Sequence, residues 1–483
     1  MEFEPVIGLE VHAQLKTDSK IFCTCSTKFG SEPNTQTCPI CTGMPGTLPV
    51  LNVKTIEFAI KMAISTGSKI AKKSIFARKN YFYPDLPKAY QISQYEEPFC
   101  NGGYIEIQTN GDWKKIYLTR IHLEEDAGKL IHPETQDQTG KSKIDFNRCG
   151  VPLIEIVTEP VINSPHESYL YLVKLKQLLM YLEICDGNME EGSLRCDANI
   201  SIREKGSNKL GVKTEIKNLN SFRGVEKALE VEFERQKKLI LNGQKIYQET
   251  MLWDADKNIV SPMRSKEEAH DYRYFPDPDL VPVWVNEKWI DKIKPQIPEL
   301  PKEKKLRFIK QYNIPDYNSE ILTSTKELAN YFEKTAKYCK DYVKASNWMI
   351  TEVLKILNEK KIEINDFSIK PDNLGKMMNM IESGTISGKM AKEIFEYMVD
   401  TGKPAQDIIK EKGIVQITDT EEISIVINSI LEKNNKEVLA YINGKEKLFG
   451  FFVGEVMKAT KGKANPKIVN EELIKKLQSL KNK

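Results

Sequence analysis

The stretch VIGLEVHAQL, Val6–Leu15, decides how the first half of the chain is read. Side chains along a strand alternate between its two faces. Ile7, Leu9, Val11, Ala13 and Leu15 therefore share a wholly apolar face, and Gly8, Glu10, His12 and Gln14 share the other. A carboxylate, an imidazole and an amide in one row make that second face either a solvated surface or the floor of a site.

Other segments repeat the pattern. LRCDANISIR sets Leu194, Cys196, Ala198, Ile200 and Ile202 against Arg195, Asp197, Asn199, Ser201 and Arg203. VKTEIKN sets Val212, Thr214 and Ile216 against Lys213, Glu215 and Lys217, and LIEIVTE places Glu155 between isoleucines. IHLEEDAGK brings Glu124, Glu125 and Asp126 to the end of a strand. Half-exposed antiparallel sheets are common, so a merely solvated face is the alternative reading. Like charges opposed on neighbouring strands destabilise a sheet, however. A divalent cation removes that cost, and Mg²⁺ suits a few carboxylates together with water and phosphates. His12 beside Glu10 reads equally as a ligand or as a hydrogen-bond orienter. Lys79, Arg195, Lys213 and Lys217 interleave with the acids, and acids with cations are the equipment of phosphoryl transfer. The chain has neither a dinucleotide-binding glycine fingerprint nor a Walker loop. A nucleotide bound here would be held by the sheet and its metal.

Five principal strands are expected, at Val6–Leu15, Ile116–Glu124, Leu153–Thr158, Leu194–Arg203 and Val212–Asn218. Between them, Asn52 caps a helix that stops at Gly67, Ser164 and Pro165 open one to about Ile184, and Ser221 opens one that ends at Gly243. The expected class is α+β, a mixed or antiparallel sheet backed by helices, followed by two all-helical domains. A proline-punctuated stretch, KPQIPELPKEK (Lys294–Lys304), and TGKPAQ (Thr401–Gln406) place the boundaries, giving domains 1–293, 294–407 and 408–483.

With 40% hydrophobic and 29% charged residues over 483 positions, the composition is that of a globular protein of several domains. No apolar run is long enough for a membrane span, and the strand pattern begins too early to leave room for a leader, so a cytoplasmic protein is expected. The net charge of +3 hides a basic tail, with Lys458, Lys461, Lys463, Lys467, Lys475, Lys476, Lys481 and Lys483 against Glu471 and Glu472. Such a tail fits a polyanion partner or a solubilising helix face equally well. Of nine cysteines, Cys23, Cys25, Cys38 and Cys41 form a C-x-C and a C-x-x-C pair, a spacing that suits tetrahedral Zn²⁺. The others read as packing residues. Tyr81, Phe82, Tyr83 and Tyr90 stand among Arg78, Lys79 and Lys88, and DYRYFPDPD (Asp271–Asp279) is similar, so both loops could stack a base or simply anchor themselves.

Taken together, VIGLEVHAQL, RKNYFYPDLPKAYQISQY, RIHLEEDAGK, PLIEIVTEP, MEEGSLRCDANIS, KTEIKNLNS, DYRYFPDPDLVP and the C-terminal GFFVGEVMKATKGKANP resemble the B subunit of the aspartyl/glutamyl-tRNA amidotransferases. The resemblance spans the whole chain. It implies a cradle domain related in fold to glutamine synthetase, then a helical domain, then a small helical tail that touches tRNA. It implies conversion of Glu-tRNA(Gln) to Gln-tRNA(Gln), of Asp-tRNA(Asn) to Asn-tRNA(Asn), or both, by a carbon–nitrogen ligase with glutamine as amido donor. ATP and Mg²⁺ would activate the esterified side-chain carboxylate as an acyl phosphate. An amidase, the A subunit, would supply ammonia and a small C subunit would hold the pair together, with neither DNA nor membrane as partner. By the same resemblance Glu10, His12 and Glu125 are the first expected Mg²⁺ ligands, with Glu155 after them and Glu124 sharing the role of Glu125. Glu190, Arg195, Asp197, Lys213 and Glu215 belong to the expected site through their motifs, with Lys79, Arg195 and Lys213 the cations for nucleotide. The four-cysteine cluster, which only some members of that family share, is carried on its spacing. A non-catalytic tRNA-binding scaffold is the alternative; against it, carboxylates such as Glu10, Glu124, Glu125 and Glu155 repel a phosphate backbone.

Overall fold

A computed structural model describes residues 2–131, 141–265, 272–413, 419–460 and 462–481. Asp271, Lys461 and Lys483, named above, lie outside the described residues. The chain divides into two compact units, Met1–Leu300 and Pro301–Lys483.

The first unit is built on a ten-stranded sheet. Among its members are β1 (Phe3–Gln14), β2 (Asp112–Glu125), β3 (Pro152–Thr158), β4 (Leu194–Glu204), β5 (Thr214–Leu219), β6 (Glu249–Asp254) and β7 (Ile259–Ser265). β1 lies at the centre, antiparallel to β3 on one side and to β4 on the other. Beyond β3 comes β2, and beyond β4 come β5, β6 and β7. The pairing of β5 with β6 is parallel, so the sheet is mixed. β6 and β7 are strands that the alternation argument does not anticipate.

Alternation along β1 is visible in its burial: Ile7, Leu9, Val11 and Ala13 are fully buried, while Gly8, Glu10, His12 and Gln14 are half-buried. The apolar face packs on three helices, α1 (Val53–Thr66), α2 (Pro165–Tyr181) and α3 (Phe222–Leu241), through residues such as Ala59, Leu175 and Leu229. Their caps are the expected ones. Asn52 accepts from Lys54 N, Ser164 from Glu167 N and Ser221 from Gly224 N. Gly67, in the left-handed region at φ 66°, closes α1. α2 stops at Tyr181, three residues short of the expected Ile184. Ile156 is fully buried in this core. Ile156→Ala should cost about 2–5 kcal/mol, read as a lower urea midpoint at unchanged slope.

The second unit is helical where described. One apolar core runs from Phe308 to Ile408 and a smaller one from Ile423 to Leu477. Lys294–Lys304 is not a loose connection: Ile297 and Leu300 pack against the first unit's core, and a helix starts at Pro301. The expected boundary at 407/408 runs through a helix, Ala405–Lys412, whose Ala405 and Ile408 both belong to the larger helical core. Among the described residues no helix is long and apolar enough to cross a membrane.

Candidate active site

The polar side of the sheet is organised by strand register. His12 on β1 stands opposite Glu155 on β3 and Arg195 on β4, and Glu155 in turn stands opposite His122 on β2. Directly paired residues point to the same face, so four strands contribute one row, His122–Glu155–His12–Arg195. Two residues along, Glu10 opposes Asp197.

β2 reaches this row through an irregularity. Thr158 and Val157, adjacent on β3, pair with Leu118 and Arg120, which leaves Thr119 as an extra residue. The apolar phase of β2 accordingly switches from Ile116 and Leu118 to Ile121 and Leu123. Arg120, His122 and Glu124 are thereby turned into the site.

The His12 Nε2 lies 3.2 Å from Glu155 Oε2 and 3.6 Å from Glu124 Oε1. His122 Nε2 lies 3.0 Å from the same Glu155 oxygen and 3.9 Å from Glu124 Oε2. Ser93 Oγ donates to Glu124 at 3.2 Å. One nitrogen of His12 and one oxygen each of Glu124 and Glu155 lie within 4.8 Å of one another, a spacing that could hold a metal ion. Burial, the largest single influence, works to lower the His12 pKa, yet Glu155, Glu124 and Asp197 outweigh it and push it up to about 9. Burial raises the Glu155 carboxyl, but the two imidazoles more than reverse this and hold it well below the usual carboxylate range. Glu124 is raised, by burial first and by Glu155 next. A protonated imidazole between two crowded carboxylates thus offsets part of their repulsion, which a divalent cation in the same place would offset in full.

Cations and their partners surround this centre. Arg195 donates to Asp126 Oδ2 at 2.8 Å, and Gln14 donates to the same oxygen at 2.8 Å. Lys217 is paired with Asp197 and lies 3.5 Å from Glu215. Glu215 accepts from Thr250 Oγ1 at 3.2 Å. Lys79 sits 4.5 Å from the ring centre of Tyr272, and Tyr95 stacks on Tyr274 with 4.3 Å between ring centres. All of these groups except Gln14 line one open cavity of about 600 Å³, which also takes in Glu10 and His12.

Of the expected site residues, the cavity brings together Glu10, His12, Lys79, Glu124, Glu155, Arg195, Asp197 and Glu215. Glu125 is a correction. It follows Glu124 on the strand and so points to the opposite face, where it pairs with Lys88 and accepts from Ile92 N at 2.9 Å. Lys213 precedes β5, is exposed, and lines a neighbouring cavity that shares only Glu10 with the main one. Glu190 is exposed in the loop after α2 and does not line the cavity. His122 and Arg120 are cavity-lining groups that sequence reasoning passed over. His122 and Glu124 are two apart in IHLEE, so alternation alone could have linked them.

The family model described as GatB/GatE catalytic domain matches residues 5–291, and that described as GatB domain matches residues 330–477. The aspartyl/glutamyl-tRNA(Asn/Gln) amidotransferase B subunit of Thermodesulfovibrio yellowstonii is 59% identical over 478 residues, covering 99% of this chain and all of the relative. The proteins of the same name from Caldicellulosiruptor bescii and Geotalea daltonii are 55% and 53% identical, again over 99% of this chain and all of each relative. This chain belongs to the amidotransferase B-subunit family.

In this member of the B-subunit family the four-cysteine stretch also converges. One sulfur from each of Cys23, Cys25, Cys38 and Cys41 lies within 4.8 Å of the other three. Cys38 N donates to Cys41 Sγ at 3.2 Å, and the ammonium of Lys20, wholly buried, lies 3.6 Å from it. The Cys41 thiol is brought down to about 4, first by a hydrogen bond from Cys23, with burial opposing and the Cys38 amide and Lys20 assisting. Four converging sulfurs with amide and ammonium donors suit a tetrahedral thiolate metal.

Proposed function

We propose that this chain carries out the tRNA-linked step of an ATP-dependent amidotransferase, acting on Glu-tRNA(Gln), Asp-tRNA(Asn) or both. The observation that carries the reading is the cavity in which His12, Glu124 and Glu155 converge while Arg195, Lys217 and Lys79 stand around them. A carboxylate resists ammonia until it bears a leaving group. An oxygen of the side-chain carboxylate bonds to the γ-phosphorus as the bond to the ADP oxygen breaks. Ammonia then attacks the acyl carbon, the carbon–oxygen bond to phosphate breaks, and loss of one proton leaves the amide.

His12, Glu124 and Glu155 would hold Mg²⁺, with Glu10 beside them. The bound ion would neutralise charge on the transferring phosphoryl group. Lys79, beside the rings of Tyr81 and Tyr272, would meet phosphate, and Arg195, hydrogen-bonded to Asp126, would assist it. Lys217, paired with Asp197, adds a third cation to the cavity. Tyr81, Tyr272 and Tyr274 offer flat surfaces for a base. The four-cysteine cluster would hold a structural Zn²⁺. The amidase A subunit would supply the ammonia and the small C subunit would hold the complex together, in the cytoplasm, with the small helical tail from 408 onward reaching the tRNA.

A trapping assay tests the chemistry. The chain is combined with its amidase and small partner subunits, Mg²⁺, ATP and Glu-tRNA, glutamine is withheld, and hydroxylamine is added. An ATP-dependent γ-hydroxamate is expected, lost in His12→Ala and Glu155→Ala. Glu-tRNA binding with neither hydroxamate nor ADP would instead make the chain a tRNA-binding scaffold.

A further inference from the structure

His122 has one polar duty, and it is owed to a candidate metal ligand. The residue is only 3% exposed, in a strand interior. Its Nε2 lies 3.0 Å from Glu155 Oε2, and Glu155 accepts hydrogen bonds from both His122 and His12. Its Nδ1 is buried with no hydrogen-bond partner. Buried polar atoms are normally satisfied, and a structural histidine commonly uses both ring nitrogens. Packing alone would be served better by an aliphatic or phenyl side chain, which leaves no orphan atom. The imidazole is therefore explained by the Nε2 side, where it meets Glu155 and, at 3.9 Å, Glu124.

We infer that His122 is a positioning residue for the divalent-cation site: its Nε2–H grips Glu155 Oε2 from the buried side and aims the carboxylate toward His12. The inference rests on the metal reading of His12, Glu124 and Glu155 given above. The two imidazoles approach the same oxygen from neighbouring strands, His12 at 3.2 Å and His122 at 3.0 Å. When His12 turns to a cation it releases that oxygen, and the bond from His122 remains to stop the carboxylate from rotating away. Ligating carboxylates are ordinarily held by such an outer partner, and its loss typically costs roughly 10- to 100-fold in metal affinity.

The test uses Mn²⁺ as a spin probe, its binding to the full chain followed by electron paramagnetic resonance without substrates. His122→Leu removes the donor, and His122→Asn carries an amide too short to reach Glu155. His122→Gln restores an N–H near the Nε2 position. Leu and Asn should weaken Mn²⁺ binding roughly 10- to 100-fold and Gln should recover most of it. In the assembled enzyme the Mg²⁺ concentration for half-maximal ATP-dependent rate should rise by the same factor, with the rate at saturating Mg²⁺ little changed. If the Leu variant does not fold, the Asn and Gln pair decides. Leu and Asn variants that bind Mn²⁺ like the wild type, while His12→Ala does not, would overturn the role of His122 alone. A lowered rate at saturating Mg²⁺ with no shift in requirement would overturn it too, by assigning His122 to folding. Wild-type binding that His12→Ala leaves intact would overturn the metal reading itself.

Discussion

His12→Ala should lower ATP-dependent amidation by roughly 10²- to 10³-fold at millimolar Mg²⁺, because the imidazole is both a proposed ligand and the group that lets Glu124 and Glu155 coexist. The sign of the pH dependence follows from its titration. In the metal-free chain His12 holds its proton up to about pH 9. A metal ligand must be the neutral imidazole, so each ion bound at neutral pH displaces one proton. Affinity for Mg²⁺ or Mn²⁺ should therefore rise about tenfold per pH unit from 7 to 9 and then level off. Activity at limiting Mg²⁺ should follow the same rise, and added Mg²⁺ should rescue activity at the lower pH. Calorimetry in two buffers of different ionisation enthalpy counts the protons directly. Release of about one proton at pH 7.5, absent in His12→Ala, is the expected result. Binding independent of pH would remove His12 from the ligand set.

The sequence makes His12 conspicuous for a physical reason. β1 is central, its two faces meet different surroundings, and so its alternation is clean. Arg195, Asp197 and Asn199 follow by the same logic on β4. What cannot be read locally is register. Nothing in LIEIVTE says that Glu155 pairs with His12 rather than with a residue two places away, since that depends on how strands about 140 residues apart align. β3 also hides its phase, because most of its residues are buried on either face.

Glu124 and Glu125 show the same limit more sharply. Carried forward from Ile116 and Leu118, a strict period of two would bury 122 and 124 and turn 125 to the polar side. The extra residue at Thr119 inverts this. Ile121 and Leu123 announce the inversion, but the family resemblance favoured Glu125 over the local pattern. Lys213 and Glu190 belong to loops, where no period constrains direction.

The second large effect concerns the cysteine cluster, which is tied to the site by the chain itself. Ile21 N donates to Gly150 O, Gly150 N donates to Asp126 O, and Cys149 Sγ donates to Cys41 O at 3.2 Å. Asp126 is the residue that holds Arg195 and Gln14. Lys20, fully buried, places its ammonium between Cys41 Sγ and the carbonyls of Gln36 and Phe146. Cys41→Ser would weaken metal binding and strip this ammonium of its anionic partner at once. Breaking a buried charge pair from one side costs about 3–5 kcal/mol. For a large unit this corresponds to a melting temperature lower by roughly 10 °C. Chelation of the proposed Zn²⁺ should produce a fall of the same order and release one equivalent of metal to a colorimetric indicator. Lys20→Met in the same background should restore part of the loss, because it removes the buried charge that Cys41→Ser leaves behind. If Cys41→Ser melts like the wild type and the purified chain carries no zinc, the cluster is four packed thiols, and Asp126 is ordered by Arg195, Gln14 and Arg148 without it.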